Sequence, residues 1–279
     1  MGVVATRLKF GSIAVALVIG VFWLDQSLFP YVTSGVILSL FALGAQAEFY
    51  GMLRSSAVDS DHAPQLKLGL LAGAFFLATR YAEMRGCHLD VGAQLGGILV
   101  LLLVVGVLGG KPKGAPSRIG GTLLGVLLVP FLMGYALEIR ALDEGWAWLV
   151  FLVAVAKTGD STAFFIGRSF GKHKLAPNVS PNKSWEGAVG SLLGSFLAAW
   201  IVTQTAFSAT PDPQVWILAA IVVNLGAQFG DLSESLFKRG CEVKDSATLI
   251  PVMGGAFDMV DSFLVAAPAL RIYLSTLPS

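Results

Sequence analysis

Apolar residues come in long runs along this chain, and the short segments between the runs hold most of its charge. A helix of roughly 18 to 24 apolar residues is long enough to span a hydrocarbon core of about 30 Å. The runs predict nine such helices, near residues 8–24, 31–53, 66–83, 92–109, 118–138, 145–168, 185–206, 214–236 and 250–273. The third is short and ends in Arg80, Glu83 and Arg85. The first follows Arg7 and Lys9 as the core of a signal peptide would, but Trp23-Leu24-Asp25 stands where a cleavage site needs small residues, so a retained helix is expected. The predicted fold is all-α, a polytopic integral membrane helical bundle, with no internal repeat, low-complexity tract or soluble domain.

Composition supports this reading. Of 279 residues 55% are hydrophobic and 13% charged, with mean hydropathy +0.73; a soluble domain carries roughly 25% charged residues. The net charge of +1 says little, because in a membrane protein the placement of Lys and Arg matters more than their sum. With the N-terminus cytoplasmic, the inner segments hold 14 basic residues and the outer ones only Arg80, Arg85, Arg140 and Arg271, with Lys157 inside a helix. That imbalance predicts a cytoplasmic N-terminus and an external C-terminus. Cys87 and Cys241 then fall on opposite sides, so no disulfide is expected, and no Cys/His spacing suits a metal.

The chemistry lies in acids placed inside apolar helices, where each costs about 3 kcal/mol unless a cation or water meets it. At 1.5 Å of rise per residue, Asp160 on the sixth helix, Asp231 and Glu234 on the eighth, and Asp258 and Asp261 on the ninth all reach the inner half of the bilayer. Asp258 and Asp261, three residues apart, share a helix face, as do Asp231 and Glu234. Carboxylates gathered at one depth repel, and a hard cation such as Mg²⁺ relieves this while sharing its shell with phosphate oxygens. Simple pairing with nearby Lys or Arg is the plainer alternative, strongest for Glu234 with Lys238 four residues on; against it for the set, the basic residues are expected in loops while Asp258 and Asp261 lie deeper. A proton or sodium relay in a transporter is a further alternative.

Two basic segments are predicted at the same end. Gly167 to Gly187 brings Arg168, Lys172, Lys174 and Lys183, with Ser180 to Ser184 forming a turn into the seventh helix and Ser184 as its N-cap. The second offers Lys238, Arg239 and Lys244. Gly254-Gly255 would let backbone amides approach a phosphate closely. Carboxylates for a metal beside cations for phosphates suit phosphoryl or nucleotidyl transfer.

Ser235, Lys238, Arg239, Lys244, Asp245, Pro251, Gly254, Gly255, Asp258 and Asp261 are spaced as in the signature of the phosphatidate cytidylyltransferases, or CDP-diacylglycerol synthases, which the C-terminal stretch resembles. The stretch from Gly159 to Gly187, with Asp160, Lys172, Lys174, Ser180, Pro181, Lys183, Trp185 and Glu186, is similar to the family's second conserved region. Together they cover about 157 to 263; the N-terminal half shares only hydropathy and Glu48-Phe49-Tyr50. Met253 and Met259 stand where the family has His and Arg, which removes two polar groups that could contact phosphate or lipid.

The resemblance implies cytidylyl transfer from CTP to phosphatidic acid, giving CDP-diacylglycerol and pyrophosphate in phospholipid biosynthesis. It implies Mg²⁺ on Asp231, Asp258 and Asp261, with Asp160 and Glu234 as further candidate ligands. Lys238 joins the three aspartates as catalytic, and Lys172, Lys174, Ser180, Lys183, Ser235, Arg239, Lys244, Asp245, Gly254 and Gly255 are expected to bind substrate. Residues 1–140 would be N-terminal membrane helices and 141–279 the catalytic region. The expected setting is a bacterial inner membrane with the site facing the cytoplasm; membrane lipid is a partner, nucleic acid is not, and a homo-oligomer is left open. The alternatives are an ion-coupled transporter and a divergent relative acting on another lipid phosphate. The aspartate motif of a CDP-alcohol phosphotransferase is not present.

Overall fold

A computed structural model describes residues 20, 25, 31–84, 86–87, 89–243, 246 and 255–277. Among these the chain forms eight helices: α1 (Val32–Ser55), α2 (Leu66–Glu83), α3 (Val91–Leu108), α4 (Ala115–Arg140), α5 (Gly145–Phe170), α6 (Trp185–Thr205), α7 (Pro213–Gly240) and α8 (Ala256–Ser275). They correspond to the second through ninth predicted helices. The first, near 8–24, lies outside the described residues except for Gly20, and so do Arg85, Lys244, Asp245, Pro251, Met253 and Gly254. Six of the eight are long and apolar enough to cross a membrane; α2 and α8 fall short, for each carries three charged residues in its length.

Two elements depart from expectation. Ser180 to Ser184 is a strand, β2, pairing antiparallel with β1 (Lys174–Ala176), so the turn is the Pro177 to Val179 link. The last helix starts at Ala256 and not near 250, because Gly255 is extended (φ −93°, ψ 179°). Within α4 the backbone widens to a π-turn over Leu127–Phe131. Pro130 sits in it; proline lacks an N–H and its ring crowds the carbonyl four residues back, which a wider turn accommodates.

Three apolar cores hold the helices together. One joins α4 to α8 around Phe151, Val155, Val223 and Leu270; a second joins α1, α4 and α8 around Phe49, Leu137, Phe257 and Leu264; a third joins α2, α3 and α4 around Phe76 and Leu102. Helix α8 contributes to the first two, so helices from both halves of the chain fix its position. Several polar groups within the bundle find partners, as hydrocarbon demands: buried Gln46 donates to Tyr50 Oη (3.0 Å) and to the Gly69 carbonyl (2.9 Å), while Tyr50 donates to the Thr122 carbonyl (2.6 Å).

Candidate functional site

The charged residues singled out in the sequence gather where α5, β2, α7 and α8 meet. Close approach of α7 and α8 makes this meeting: a side chain at Gly226 would come within 2.7 Å of the Ala266 Cα, and one at Gly230 would run into the Asp261 carbonyl. Only glycine permits backbones this near, and Asp231 follows immediately. As a result Asp231, Glu234 and Asp261 bring carboxylate oxygens within 4.8 Å of one another.

Three lysines serve this acidic centre. Lys183, at the end of β2, places its ammonium 2.6 Å from Asp231. Lys238 lies 2.7 Å from Glu234 and also pairs with Asp258. Lys157 of α5 sits 3.6 Å from Asp261 and 3.7 Å from Asp160, donates to Ser262 Oγ at 3.3 Å, and lies 4.8 Å from the centroid of the Phe263 ring. Ser262 in turn donates to Asp160 or Asp261, each 2.9 Å away.

Asp258 borders this cluster, in hydrogen-bonding contact with Glu234 and sharing the Lys238 ammonium with it. It accepts from the Gly255 amide at 2.6 Å and from the Ser246 hydroxyl at 2.8 Å besides pairing with Lys238. Of the expected metal set Asp231, Asp258 and Asp261, the structure therefore brings the first and third together with Glu234, and gives Asp258 to Lys238 and the first turn of α8.

The expectation that the cations sit in loops while the deep acids lack partners is overturned. Lys157 is central to α5, and Lys238 and Arg239 belong to the last turn of α7, so Asp258 and Asp261 both have cationic neighbours. Ser184 does cap α6, accepting from the Gly187 amide at 3.2 Å. Lys172 and Lys174 are exposed on the hairpin. Glu186 reaches back to fasten that segment, accepting from the Lys172 amide at 3.1 Å and meeting His173 Nδ1 at 2.6 Å. Arg239 is exposed, and Ser180 and Ser235 are half-buried.

Sequence reasoning noted Lys157 inside a helix and Glu48 beside Phe49-Tyr50 but gave neither a place in the site, and it passed over Ser262 and Ser246. Lys157 and Glu48 could have been found by the rule that drew attention to the aspartates, since each is a charge inside an apolar helix. The two serines carry no comparable signal.

Five carboxylates, Asp160, Asp231, Glu234, Asp258 and Asp261, thus face the ammonium groups of Lys157, Lys183 and Lys238. The formal excess is negative, and the donors are hard oxygens, the kind that divalent Mg²⁺ prefers. With cations at its edge, such a centre can hold a metal and bind phosphate oxygens.

These features define a polytopic helical membrane protein with an acid-and-lysine centre inside the bundle. The chain belongs to the cytidylyltransferase family, which it matches over residues 5–277. It is 32% identical over 238 residues to the phosphatidate cytidylyltransferase of Bacillus subtilis (strain 168), covering 85% of this chain and 87% of that protein. It is 35% identical over 218 residues to the phosphatidate cytidylyltransferase of Haemophilus influenzae, covering 70% and 75%. The resemblance carried by the two C-terminal stretches is borne out.

Proposed function

We propose that this chain is a membrane enzyme that moves a cytidylyl group from CTP to phosphatidic acid, releasing pyrophosphate. Family membership and the names of its relatives support the reaction. The observation that carries the chemistry is the convergence of Asp231, Glu234 and Asp261 within 4.8 Å, flanked by Lys183 and Lys238. An oxygen of the lipid phosphate forms the new bond to the α-phosphorus of CTP as the bond to the β-phosphate oxygen breaks. No side-chain nucleophile is needed, because a phosphate monoester already carries nearly two charges at neutral pH.

Asp231, Glu234 and Asp261 would hold Mg²⁺, which supplies positive charge against the phosphates when bound. Lys183 and Lys238 would take the triphosphate, with Arg239 at the exposed end of α7 steering it inward. Lys157 keeps Asp160 and Asp261 compensated from the α5 side. We assign Asp258 to orienting Lys238. The basic imbalance of 14 to 4 supports a cytoplasmic N-terminus, a site facing the cytoplasm, and residence in the inner, or cytoplasmic, membrane of a bacterial cell.

The test is direct. Detergent-purified protein given CTP, phosphatidic acid and Mg²⁺ should form CDP-diacylglycerol and pyrophosphate, with ATP a poor substitute. A folded sample that forms no product from any phosphatidic acid overturns the proposal.

A further inference from the structure

We propose that Glu48, on α1 in the N-terminal half of the chain, is a positioning residue for α8, the helix that carries Asp258 and Asp261; the role rests on the functional reading above. The first amides of a helix lack partners within it and concentrate the positive end of its dipole. In α8 these amides are taken up by carboxylates. The Gly255 N–H donates to Asp258 at 2.6 Å, the Ala256 N–H to Glu48 Oε1 at 2.8 Å and the Phe257 N–H to Glu48 Oε2 at 2.9 Å. The Ser246 hydroxyl lies 2.9 Å from Glu48 Oε2 and 2.8 Å from Asp258 Oδ2, so its one proton is shared between the two acids. Gly255 fills the remaining space: a side chain there would strike Glu48 and come within 2.5 Å of Ser246 Oγ.

A carboxylate 208 residues away in sequence therefore grips the start of α8 with both oxygens. Its own helix is held in turn. Beside it, buried Phe49 packs edge-on against Phe237 of α7 at 5.3 Å and at a 45° tilt against Phe257 of α8 at 5.6 Å. Tyr50 is tied to α4 through the Thr122 carbonyl. Gripping two successive amides fixes both the depth of α8 and its rotation, and the rotation decides whether Asp258 faces Lys238 while Asp261 faces Asp231 and Glu234. The Gly255 amide, expected to meet a phosphate, is already engaged, so α8 begins on an internal anion and the phosphates are left to Lys183 and Lys238.

Glu48→Gln keeps the shape but removes the charge and turns one acceptor into a donor facing the Phe257 N–H; Glu48→Asp keeps the charge at shorter reach. Hydrogen exchange of the 255–262 segment, the Mg²⁺ concentration giving half-maximal thermal shift, and steady-state kinetics are measured on the purified full chain. In Glu48→Gln the Ala256 and Phe257 amides should exchange at least tenfold faster, the Mg²⁺ midpoint should rise about fivefold, and kcat should fall at least tenfold with KM for CTP within twofold of wild type. Glu48→Asp should restore part of each. A folded Glu48→Gln variant with wild-type exchange and Mg²⁺ midpoint overturns the proposal, even if its melting temperature is lower, because that pattern is a structural contact only. Should Glu48→Gln fail to fold, Ser246→Ala, which removes the shared proton alone, must speed exchange of the same amides, and no change there overturns it. If wild type makes no CDP-diacylglycerol, the assigned reaction falls, while exchange and thermal shift still decide the role of Glu48.

Discussion

Lys157 and Asp261, on α5 and α8, lie 3.6 Å apart at the edge of the acidic centre. This pair and the one between Lys238 and Asp258 reverse a consequence of the sequence reading, in which unpartnered aspartates would make Asn variants as heat-stable as wild type. Neither Asn substitution strands a cation, because Lys238 keeps Glu234 at 2.7 Å and Lys157 keeps Asp160 at 3.7 Å, so the loss is that of one charge-assisted contact, about 1–3 kcal/mol. Asp258 and Lys238 have side chains 15% and 11% exposed, whereas Lys157 is 41% exposed. Asp258→Asn, which also weakens the acceptor of the Gly255 amide, should therefore lower thermal stability by about 2 kcal/mol and Asp261→Asn by clearly less. Both should lose activity by about a hundredfold. Melting curves in metal-free buffer check the order; equal stability of the two variants would refute it.

Lys183→Ala removes a cation 2.6 Å from Asp231. It should lower kcat/KM for CTP by about 1–3 kcal/mol, the range for a lost charge-assisted contact. Arg140 would look like a harmless outer-face control from sequence alone. The structure buries it against Asp25 at 2.7 Å and stacks it over the Tyr31 ring at 4.2 Å, so Arg140→Ala should unfold at lower temperature with its specific activity largely kept. Lys113, exposed in a loop, is the better control. Initial rates against CTP, normalised to folded protein, separate the three.

The helices were legible in the sequence because length and apolarity alone decide what spans lipid, and the Ser184 cap followed from a local rule. Asp231 was legible as a candidate because an acid inside an apolar helix is costly enough to demand a reason, and Lys183 and Lys238 because basic residues clustered at the same end suit phosphates. Which acid meets which cation was not. That depends on the rotation of α5, α7 and α8 about their axes, set by contacts such as Gly230 against Asp261. Glu48 with Ala256 and Asp25 with Arg140 join residues 208 and 115 positions apart, and no periodicity encodes such pairings. The hairpin was missed because Ser-Pro-Asn-Lys-Ser reads as turn chemistry, and its strands of three and five residues are too short for an alternating pattern.

The orientation carries its own expectation. A reporter fused after Ser279 should lie outside the cytoplasm, and, with exposed Cys87 first changed to Ser, a cysteine replacing Lys174 on the exposed hairpin should react with an impermeant thiol reagent from the cytoplasmic side. Labelling of inside-out against right-side-out vesicles distinguishes the two faces, and reaction from the outer side would invert the topology.

Metal titration decides between Glu234 and Asp258 as the third ligand. Asp231, Glu234 and Asp261 form the carboxylate triad, whereas Asp258 is engaged by Lys238, Ser246 and the Gly255 amide. A ligand that binds only the folded state stabilises it by about 2.7 kcal/mol at a hundred times its Kd. Mg²⁺ should therefore raise the melting temperature of wild type, and chelator should reverse the rise and abolish activity. Asp231→Asn, Glu234→Gln and Asp261→Asn should each lose most of the Mg²⁺-dependent rise. Asp258→Asn should start from a lower melting temperature yet keep the rise, because the oxygens that meet the cation are untouched. A Glu234→Gln protein that still responds to Mg²⁺ like wild type, beside an Asp258→Asn protein that does not, would return the third ligand to Asp258.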